Sequence, residues 1–316
     1  MHHHVDPSLL PGLELVQAFE LTDASLPAIR AGMAEMSAAV PEPEGTGVTW
    51  RDAAAPSPEG HSVPLRVYTP AGAAGSSALL PAVLQIHGGG YVMGSLQLNH
   101  VGNMFMAAEV GAVVVSVDYR LAPETRAPGA VMDCLAALEW TVAEAGALGI
   151  DPARIAVRGE SAGGGLAAAL CQLARDRAGP AIAHQNLIYP MLDDRTCITR
   201  QPPHLGAFVW TPAANAFGWR ALLGVEPGSG EVPDYAVPAR AGSLAGLPPA
   251  FIAVGGLDLF LAEDMAYARQ LTEAGVATEL HVYPGAYHGF DVMPQAGPSV
   301  RMRRDAADAM RRALLG

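Results

Sequence analysis

The chain has 316 residues, half of them hydrophobic and 16% charged, with a formal net charge of −12 at pH 7. This length allows one large domain or two small ones, and the composition supplies ample material for a globular core. The negative charge argues against nucleic acid or an anionic membrane as a partner, because both favour a basic surface. No apolar run approaches the ~18 residues of a transmembrane helix.

The amino terminus, MHHHVDPSLLPG, lacks the basic and apolar regions of a secretory signal peptide. We therefore predict a cytoplasmic protein with no membrane partner. The three histidines look more like the remnant of a purification tag than a metal site, and a native origin is the alternative.

The residue types exclude several kinds of site. All 19 basic residues are arginine, so Schiff-base chemistry and phosphate sites that need a lysine are excluded. The G-x-G-x-x-G pattern of a dinucleotide site, counted from Gly88, requires glycine at 93, where this chain has Met93. The cysteines, Cys134, Cys171 and Cys197, match no zinc or CxxC spacing. Cys134 and Cys171 fall on apolar helical faces and are predicted to be buried thiols.

In chain order, two helical patterns come first, LELVQAFEL (13–21) and SLPAIRAGMAEMSAAV (25–40). Six short apolar runs closed by turn residues then predict strands: PAVLQIHGG (81–89), GAVVVSVDYR (111–120), ARIAVRG (153–159), QNLIYP (185–190), PAFIAVGG (249–256) and TELHVYPG (278–285). Helices are predicted at about 127–146, 162–177, 263–275 and 300–314. This alternation predicts an α/β domain with a mainly parallel sheet, which places ligands at the carboxyl ends of its strands.

Two regions break the alternation, residues 1–45 and about 192–245. The second holds a helical segment, TPAANAFGWRALLG (211–224), among prolines and glycines. Insertions of this kind often cover active sites, so we predict that both segments form a cap. The predicted cap consists of an amino-terminal part, 1–50, and an insertion, 192–245. The predicted catalytic domain consists of a first part, 51–191, and a second part, 246–316.

Ser161 lies in the segment RGESAGGG (158–165), between a predicted strand and a predicted helix. A G-x-S-x-G pattern in this context is typical of a nucleophile elbow, a sharp turn that exposes the serine. Gly159 and Gly163 leave space where side chains would collide, and the free N–H groups at the helix start point at the reaction centre. The alternative is a helix N-cap serine beside packing glycines.

A second glycine cluster, IHGGGYVMGS (86–95), follows the apolar run at 82–86. Three successive glycines can present backbone N–H groups to an oxyanion without obstruction, and HGGG in this place is the oxyanion loop of lipases and esterases. The alternative is an ordinary flexible turn, for which three glycines are entropically expensive. Together, in this order, the two motifs predict esterase chemistry.

With these motifs, the chain resembles the hormone-sensitive-lipase-like (bacterial family IV) esterases of the α/β-hydrolase fold. The resemblance covers roughly residues 50–316. It rests on HGGG (87–90), VDYRLAPE (117–124), GESAGG (159–164), GGLDLFLAEDMAYA (255–268) and YHGF (287–290). It implies a mostly parallel sheet flanked by helices, with a two-part cap that matches the two irregular regions.

The base can be chosen from chain order, because in this fold the triad runs serine, acid, histidine. Only His281 and His288 come late enough in the chain. His281 falls inside a predicted strand and is expected to pack on the sheet face. His288 follows the end of that strand, in a loop from which its side chain can reach the serine. We therefore predict that His288 is the base.

Three aspartates follow predicted strands and are candidates for the acid. Asp258 comes after PAFIAVGG, whereas Asp193 and Asp194 come after QNLIYP. The similarity of GGLDLF to the family's acid motif favours Asp258. The family often has proline and a second acid at the positions where this chain has Leu259 and Ala262.

The resemblance also implies roles for the residues around the triad. It assigns the oxyanion-binding N–H groups to Gly89, Gly90 and Ala162. Supporting residues are His87, Gly88 and Glu160. For Glu160, a plain surface carboxylate is the alternative.

The resemblance further implies short- to medium-chain acyl esters as small-molecule substrates, an acyl-enzyme on Ser161, and no metal or other cofactor. It also makes a homodimer through the last strand and helix plausible. Six cap residues are predicted to line an apolar pocket for the acyl or alcohol group: Phe208, Trp210, Phe217, Trp219, Leu222 and Leu223. For each of them, packing in the core of the cap is the alternative.

Three competing functions are less consistent with the sequence. A peptidase or amidase of the same fold would share the triad, but the usual β-propeller or peptide-terminus machinery is not visible. A catalytically inactive ligand receptor of this superfamily is expected to lack a triad member. A structural protein would not need Ser161, His288 and the glycine loop together.

Overall fold

The computed structural model describes residues 1–15, 20–72 and 78–316. They contain an eight-stranded sheet of order β1-β2-β4-β3-β5-β6-β7-β8. The strands are β1 Thr49–Pro56, β2 Ser62–Thr69, β3 Leu80–Ile86, β4 Val113–Val117, β5 Ile150–Glu160, β6 His184–Ile188, β7 Ala250–Gly255 and β8 Thr278–Tyr283. β2 pairs antiparallel with β1 and with β4, and the pairs from β4 to β8 are parallel.

Helices cover both faces of the sheet. They are α1 Leu10–Leu15, α2 Leu26–Ala38, α3 His100–Val110, α4 Gly129–Ala143, α5 Ala145–Leu148, α6 Ala162–Asp176, α7 Pro212–Leu223, α8 Leu261–Glu273 and α9 Gly297–Leu315. Apolar side chains of α3 and α9 pack on one face, and those of α4, α6 and α8 pack on the other. The predicted α/β-hydrolase fold is confirmed. Within the described ranges, no helix combines the length and the apolar character needed to cross a bilayer.

The six strands predicted from apolar runs correspond to β3–β8, and the helical segment 211–224 contains α7. The helix predicted at 127–146 is divided, because α4 ends at Ala143 and the short α5 follows. The pattern at 25–40 corresponds to α2. For the pattern at 13–21, α1 ends at Leu15 and residues 16–19 lie outside the described part of the chain.

The strands β1 and β2 and the helix α3 were not predicted, and neither strand has a continuous apolar run. β1 exposes its first four residues to solvent, and β2 alternates exposed and buried residues along its first half. That period of two was a usable signal for β2. α3 is the third missed element. β1 also contains position 50, so the predicted boundary between segments 1–50 and 51–191 falls inside a strand.

The parallel strands bring the predicted site residues to one edge of the sheet. The glycine loop follows β3, Ser161 follows β5, Asp258 comes three residues after β7, and His288 comes five residues after β8. Because the strands are parallel, their carboxyl ends meet at the same edge. Cys134 and Cys171 are buried free thiols in the helical layer, as predicted.

Candidate active site

Ser161 occupies a sharp turn between β5 and α6, with φ 55° and ψ −121°. A Cβ added at Gly159 would lie 2.1 Å from the carbonyl oxygen of Gly163, and one at Gly163 would lie 2.1 Å from that of Ile86. The glycines are therefore needed because backbone segments touch at both positions. Ser161 holds the N-cap position of α6, but its side chain makes no capping hydrogen bond, so the N-cap alternative is wrong.

The Ser161 hydroxyl instead contacts His288. Ser161 Oγ lies 2.8 Å from His288 Nε2, and His288 Nδ1 lies 2.8 Å from Asp258 Oδ2. All three side chains are buried, and Asp258 is completely so. The other carboxylate oxygen of Asp258 accepts a hydrogen bond from the backbone N–H of Phe260 at 3.0 Å. The structure thus brings the three predicted residues into one hydrogen-bonded row.

The row fixes the direction of each hydrogen bond. An ionised Asp258 has only acceptor oxygens, so Nδ1 of His288 must carry the proton and donate it to Asp258. In the neutral imidazole, Nε2 is then left with a lone pair that accepts the hydrogen bond of the Ser161 hydroxyl. This arrangement is the one that a general base next to a nucleophile requires.

The other candidates for the acid, Asp193 and Asp194, and for the base, His281, form ion pairs with other residues. Asp194 accepts two hydrogen bonds from Arg240 at 2.8 Å, and Asp193 is paired with Arg195 at 2.8 Å. His281 lies in β8 and forms its closest ion pair with Glu279 at 2.8 Å. These side chains are therefore engaged in ion pairs with other residues.

The glycine loop lies directly against the elbow. A Cβ added at Gly88 would lie 3.0 Å from the carbonyl oxygen of Glu160 and 3.4 Å from Ser161 Cβ. Gly89 and Gly90 have φ values of 121° and 59°, which side chains disfavour. No group in the described part of the chain accepts a hydrogen bond from the N–H of Gly89 or Gly90.

Ala162 is the first residue of α6. Its N–H belongs to the first turn, where N–H groups have no partner within the helix. In the part of the chain that the structure describes, no acceptor is seen for this N–H either.

His87 is completely buried below this loop. Its Nδ1 lies 2.8 Å from the carbonyl oxygen of Gly88, and its ring stacks on Tyr119 with 4.3 Å between ring centroids. Burial lowers the pKa of His87 to about 4, so the ring is neutral at neutral pH and Nδ1–H is the donor to Gly88. The side chain of His87 contacts the loop, whereas the histidine that contacts Ser161 is His288.

Glu160 is not a surface carboxylate, since its side chain is only 11% exposed. One oxygen accepts hydrogen bonds from Gln85 and Asn99, both at 2.9 Å, and the other is paired with Arg158 at 2.8 Å. Asn99 immediately precedes α3. The carboxylate therefore links the residue next to Ser161 to β3 and to the start of α3.

Residues of the 192–245 segment contact the glycine loop directly. A Cβ added at Gly90 would lie 2.1 Å from Trp210 Cη2, and one at Gly218 would lie 2.7 Å from the carbonyl oxygen of Gly90. The Trp210 ring lies 6.3 Å from that of His288. Trp210 was a predicted pocket residue, whereas nothing in the sequence marked Gly218. Trp210 also belongs to the main core, together with Trp219, Leu222 and Leu223, and Phe217 packs against it. Phe208 packs against a second core cluster. The core-packing alternative therefore applies to these residues as well.

The described residues include no cluster of three or more His, Cys, Asp or Glu side chains that could hold a metal ion.

Comparison with known proteins agrees with this geometry. A family model described as the alpha/beta hydrolase fold matches residues 83–292. Esterase LipI of Mycobacterium tuberculosis is 36% identical over 289 residues, which cover 90% of this chain and 88% of that protein. Ethyl acetate hydrolase of Pseudomonas putida is 36% identical over 236 residues, which cover 72% of this chain and 71% of that protein.

Solved structures extend the similarity to the whole chain. A structure named bacterial heroin esterase has a TM-score of 0.89 and 37% sequence identity, and the match covers 99% of both chains. These relatives are named for the hydrolysis of carboxylic esters, and this chain is a carboxylic ester hydrolase. It belongs to the hormone-sensitive-lipase-like (bacterial family IV) esterases of the α/β-hydrolase fold, as its motifs predicted.

Proposed function

We propose that the protein is a serine carboxylesterase that acts through an acyl-enzyme on Ser161, with His288 as general base and Asp258 as its orienting acid. The observation that carries this proposal is the buried row of two 2.8 Å contacts from Ser161 Oγ through His288 to Asp258. Each contact is of hydrogen-bond length, which is the reach that a base needs to activate a nucleophile.

In the first half of the reaction, Ser161 Oγ attacks the ester carbonyl carbon while His288 Nε2 takes the hydroxyl proton. The carbonyl oxygen gains the negative charge, and the N–H groups of Gly89, Gly90 and Ala162 bind it. Loss of one such donor typically costs ~3 kcal/mol of transition-state stabilisation. His288 then gives its proton to the departing alkoxide, which leaves as the alcohol.

In the second half, water attacks the acyl group on Ser161 and His288 accepts a proton from that water. The second tetrahedral intermediate collapses, the acid leaves, and the proton returns to Ser161 Oγ. Asp258 remains ionised throughout and stabilises the imidazolium of His288. The protein's own side chains and backbone suffice for each step.

We further propose that segments 1–50 and 192–245 form the cap and keep the substrate pocket small. Trp210 contacts Gly90 beside the row, and α2 is held to the glycine loop by Arg30, whose Nε donates to the carbonyl oxygen of Val92 at 2.7 Å. A large aromatic ring at this point limits the room for an acyl chain. The relative named for ethyl acetate supports short- to medium-chain esters as substrates.

One set of esters tests both parts of this proposal. With methanol as a competing acceptor, p-nitrophenyl, phenyl and ethyl butyrate should give one common ratio of methyl butyrate to butyric acid, because all three pass through the same butyryl-enzyme. In the p-nitrophenyl series from acetate to decanoate, kcat/KM should fall at the long end. A product ratio that changes with the leaving group would refute the acyl-enzyme, and kcat/KM rising to decanoate would refute the small pocket.

Two finer points stay predictions. These are the cytoplasmic location and the homodimer through the last strand and helix. Size-exclusion chromatography with light scattering addresses the second, because a mass of one chain would rule the homodimer out.

A further inference from the structure

Tyr189 lies directly after β6, in a segment that holds the backbone of Ser161 on both sides. The N–H of Ser161 donates to the carbonyl oxygen of Ile188 at 2.9 Å, and the N–H of Met191 donates to the carbonyl oxygen of Ser161 at 2.9 Å. Tyr189, between these two bonds, has a φ of 36°, which is strained for a residue with a side chain. Strain of this kind persists only where surrounding contacts enforce it, and it is concentrated at functional sites.

The side chain of Tyr189 contacts His288, the residue that accepts the hydrogen bond of Ser161. Its ring packs against the His288 ring at 4.8 Å and 63°, and its hydroxyl donates to Asp291 Oδ1 at 2.6 Å. Asp291 lies three residues after His288, in the one-turn helix Phe290–Val292. Burial raises the pKa of Tyr189 well above its ordinary value, so the hydroxyl remains a donor at working pH.

The loop that carries His288 is attached to the rest of the protein at several points, and the Tyr189–Asp291 hydrogen bond is one of them. Gly285 and Gly289 flank it, with φ values of 70° and 69°, and glycine gives the backbone many alternative conformations in the absence of other contacts. The hydrogen bond to Asp291 attaches the carboxyl-terminal end of this loop to the segment that holds Ser161. A single residue thus contacts the supports of both the nucleophile and the base.

We infer that Tyr189 is a positioning residue, which sets the distance between Ser161 and His288 through its hydrogen bond to Asp291. The inference rests on the proposed serine mechanism. Tyr189 acts on the geometry of the Ser161–His288 pair and takes no proton itself. A misplacement of about 1 Å in such a pair is enough to cost roughly a hundredfold in rate.

The test is a set of variants assayed for kcat and KM with p-nitrophenyl butyrate, with thermal unfolding measured on each. Tyr189→Phe keeps the ring against His288 and removes only the hydroxyl. It should lower kcat roughly 10- to 100-fold and leave KM nearly unchanged. Asp291→Ala should match it, while Asp291→Asn keeps an acceptor oxygen and should retain most of the activity. The double variant Tyr189→Phe/Asp291→Ala should be no slower than either single variant, because both remove the same bond.

Tyr283→Phe is the matched control, since this buried tyrosine also donates to an aspartate, Asp305 Oδ2, at 3.0 Å. It should keep the wild-type kcat. The inference is overturned if the losses in the double variant multiply, if only KM changes, or if Asp291→Asn is as slow as Asp291→Ala. An inactive Ser161→Ala with a wild-type kcat in Tyr189→Phe would reject this inference alone. Full activity in Ser161→Ala would reject the proposed function itself.

Discussion

Replacing Ser161 with alanine is expected to lower kcat for ester hydrolysis about a million-fold. The change removes Ser161 Oγ, which lies 2.8 Å from His288 Nε2. This is the atom that attacks the carbonyl carbon of the ester in the proposed mechanism. Water would then have to attack directly, helped only by the backbone N–H groups that we propose bind the oxyanion. Initial rates with p-nitrophenyl butyrate at high enzyme concentration measure the residual activity.

The same variant should remain folded. The hydrogen bonds from the Ser161 segment to Ile188 and Met191 involve only backbone atoms, so alanine retains them. Its thermal unfolding midpoint should therefore stay within a few degrees of wild type. Ser243→Ala, in an exposed loop away from the row, is the matched control and should keep full activity. Hydrolysis by Ser161→Ala within tenfold of the wild-type rate would contradict the mechanism.

Replacing Asp258 with asparagine should lower kcat about ten-thousand-fold. The Asp258 carboxylate accepts the Nδ1–H of His288 at 2.8 Å and so leaves the Nε2 lone pair facing Ser161. An amide group turned toward Nδ1 donates a hydrogen bond and stabilises the opposite tautomer, in which Nε2 carries the proton. That imidazole cannot take the proton of Ser161. The kcat of p-nitrophenyl butyrate hydrolysis measures the loss.

Asp194→Asn separates loss of catalysis from loss of stability. Asp194 is also completely buried, but it is paired with Arg240 at 2.8 Å rather than with a histidine. Weakening this buried pair should lower the unfolding midpoint and leave kcat at permissive temperature close to wild type. A larger fall in kcat for Asp194→Asn than for Asp258→Asn would overturn the choice of acid.

The positions of the triad residues could be predicted because their signals are local. Ser161 is marked by glycines two residues before and after it, and His288 and Asp258 each follow a short apolar strand. Because each neighbouring pair from β5 to β8 is parallel, the loops after β5, β7 and β8 meet at one edge of the sheet. Apolar runs thus predicted the central sheet, and chain order predicted which loops would meet.

What escaped prediction depends on contacts between distant parts of the chain. The close approach of Gly218 to Gly90 and the bond from Tyr189 to Asp291 join segments more than 100 residues apart. Such contacts leave no periodic pattern in the sequence. The burial of Glu160 could not be predicted for the same reason, because its partners Gln85 and Asn99 lie on β3 and just before α3. β1 escaped for the opposite reason, since it lies at the sheet edge and its exposed residues give no apolar run.

The central claim is that Ser161 is the nucleophile activated by His288, and covalent labelling of the wild-type enzyme tests it most directly. A fluorophosphonate should add one equivalent per chain, and esterase activity should fall in proportion to the label. Peptide mass spectrometry should place the adduct on Ser161, and Ser161→Ala should take up no label. An adduct mapped to another residue, or full activity in the stoichiometrically labelled enzyme, would contradict this account of the site.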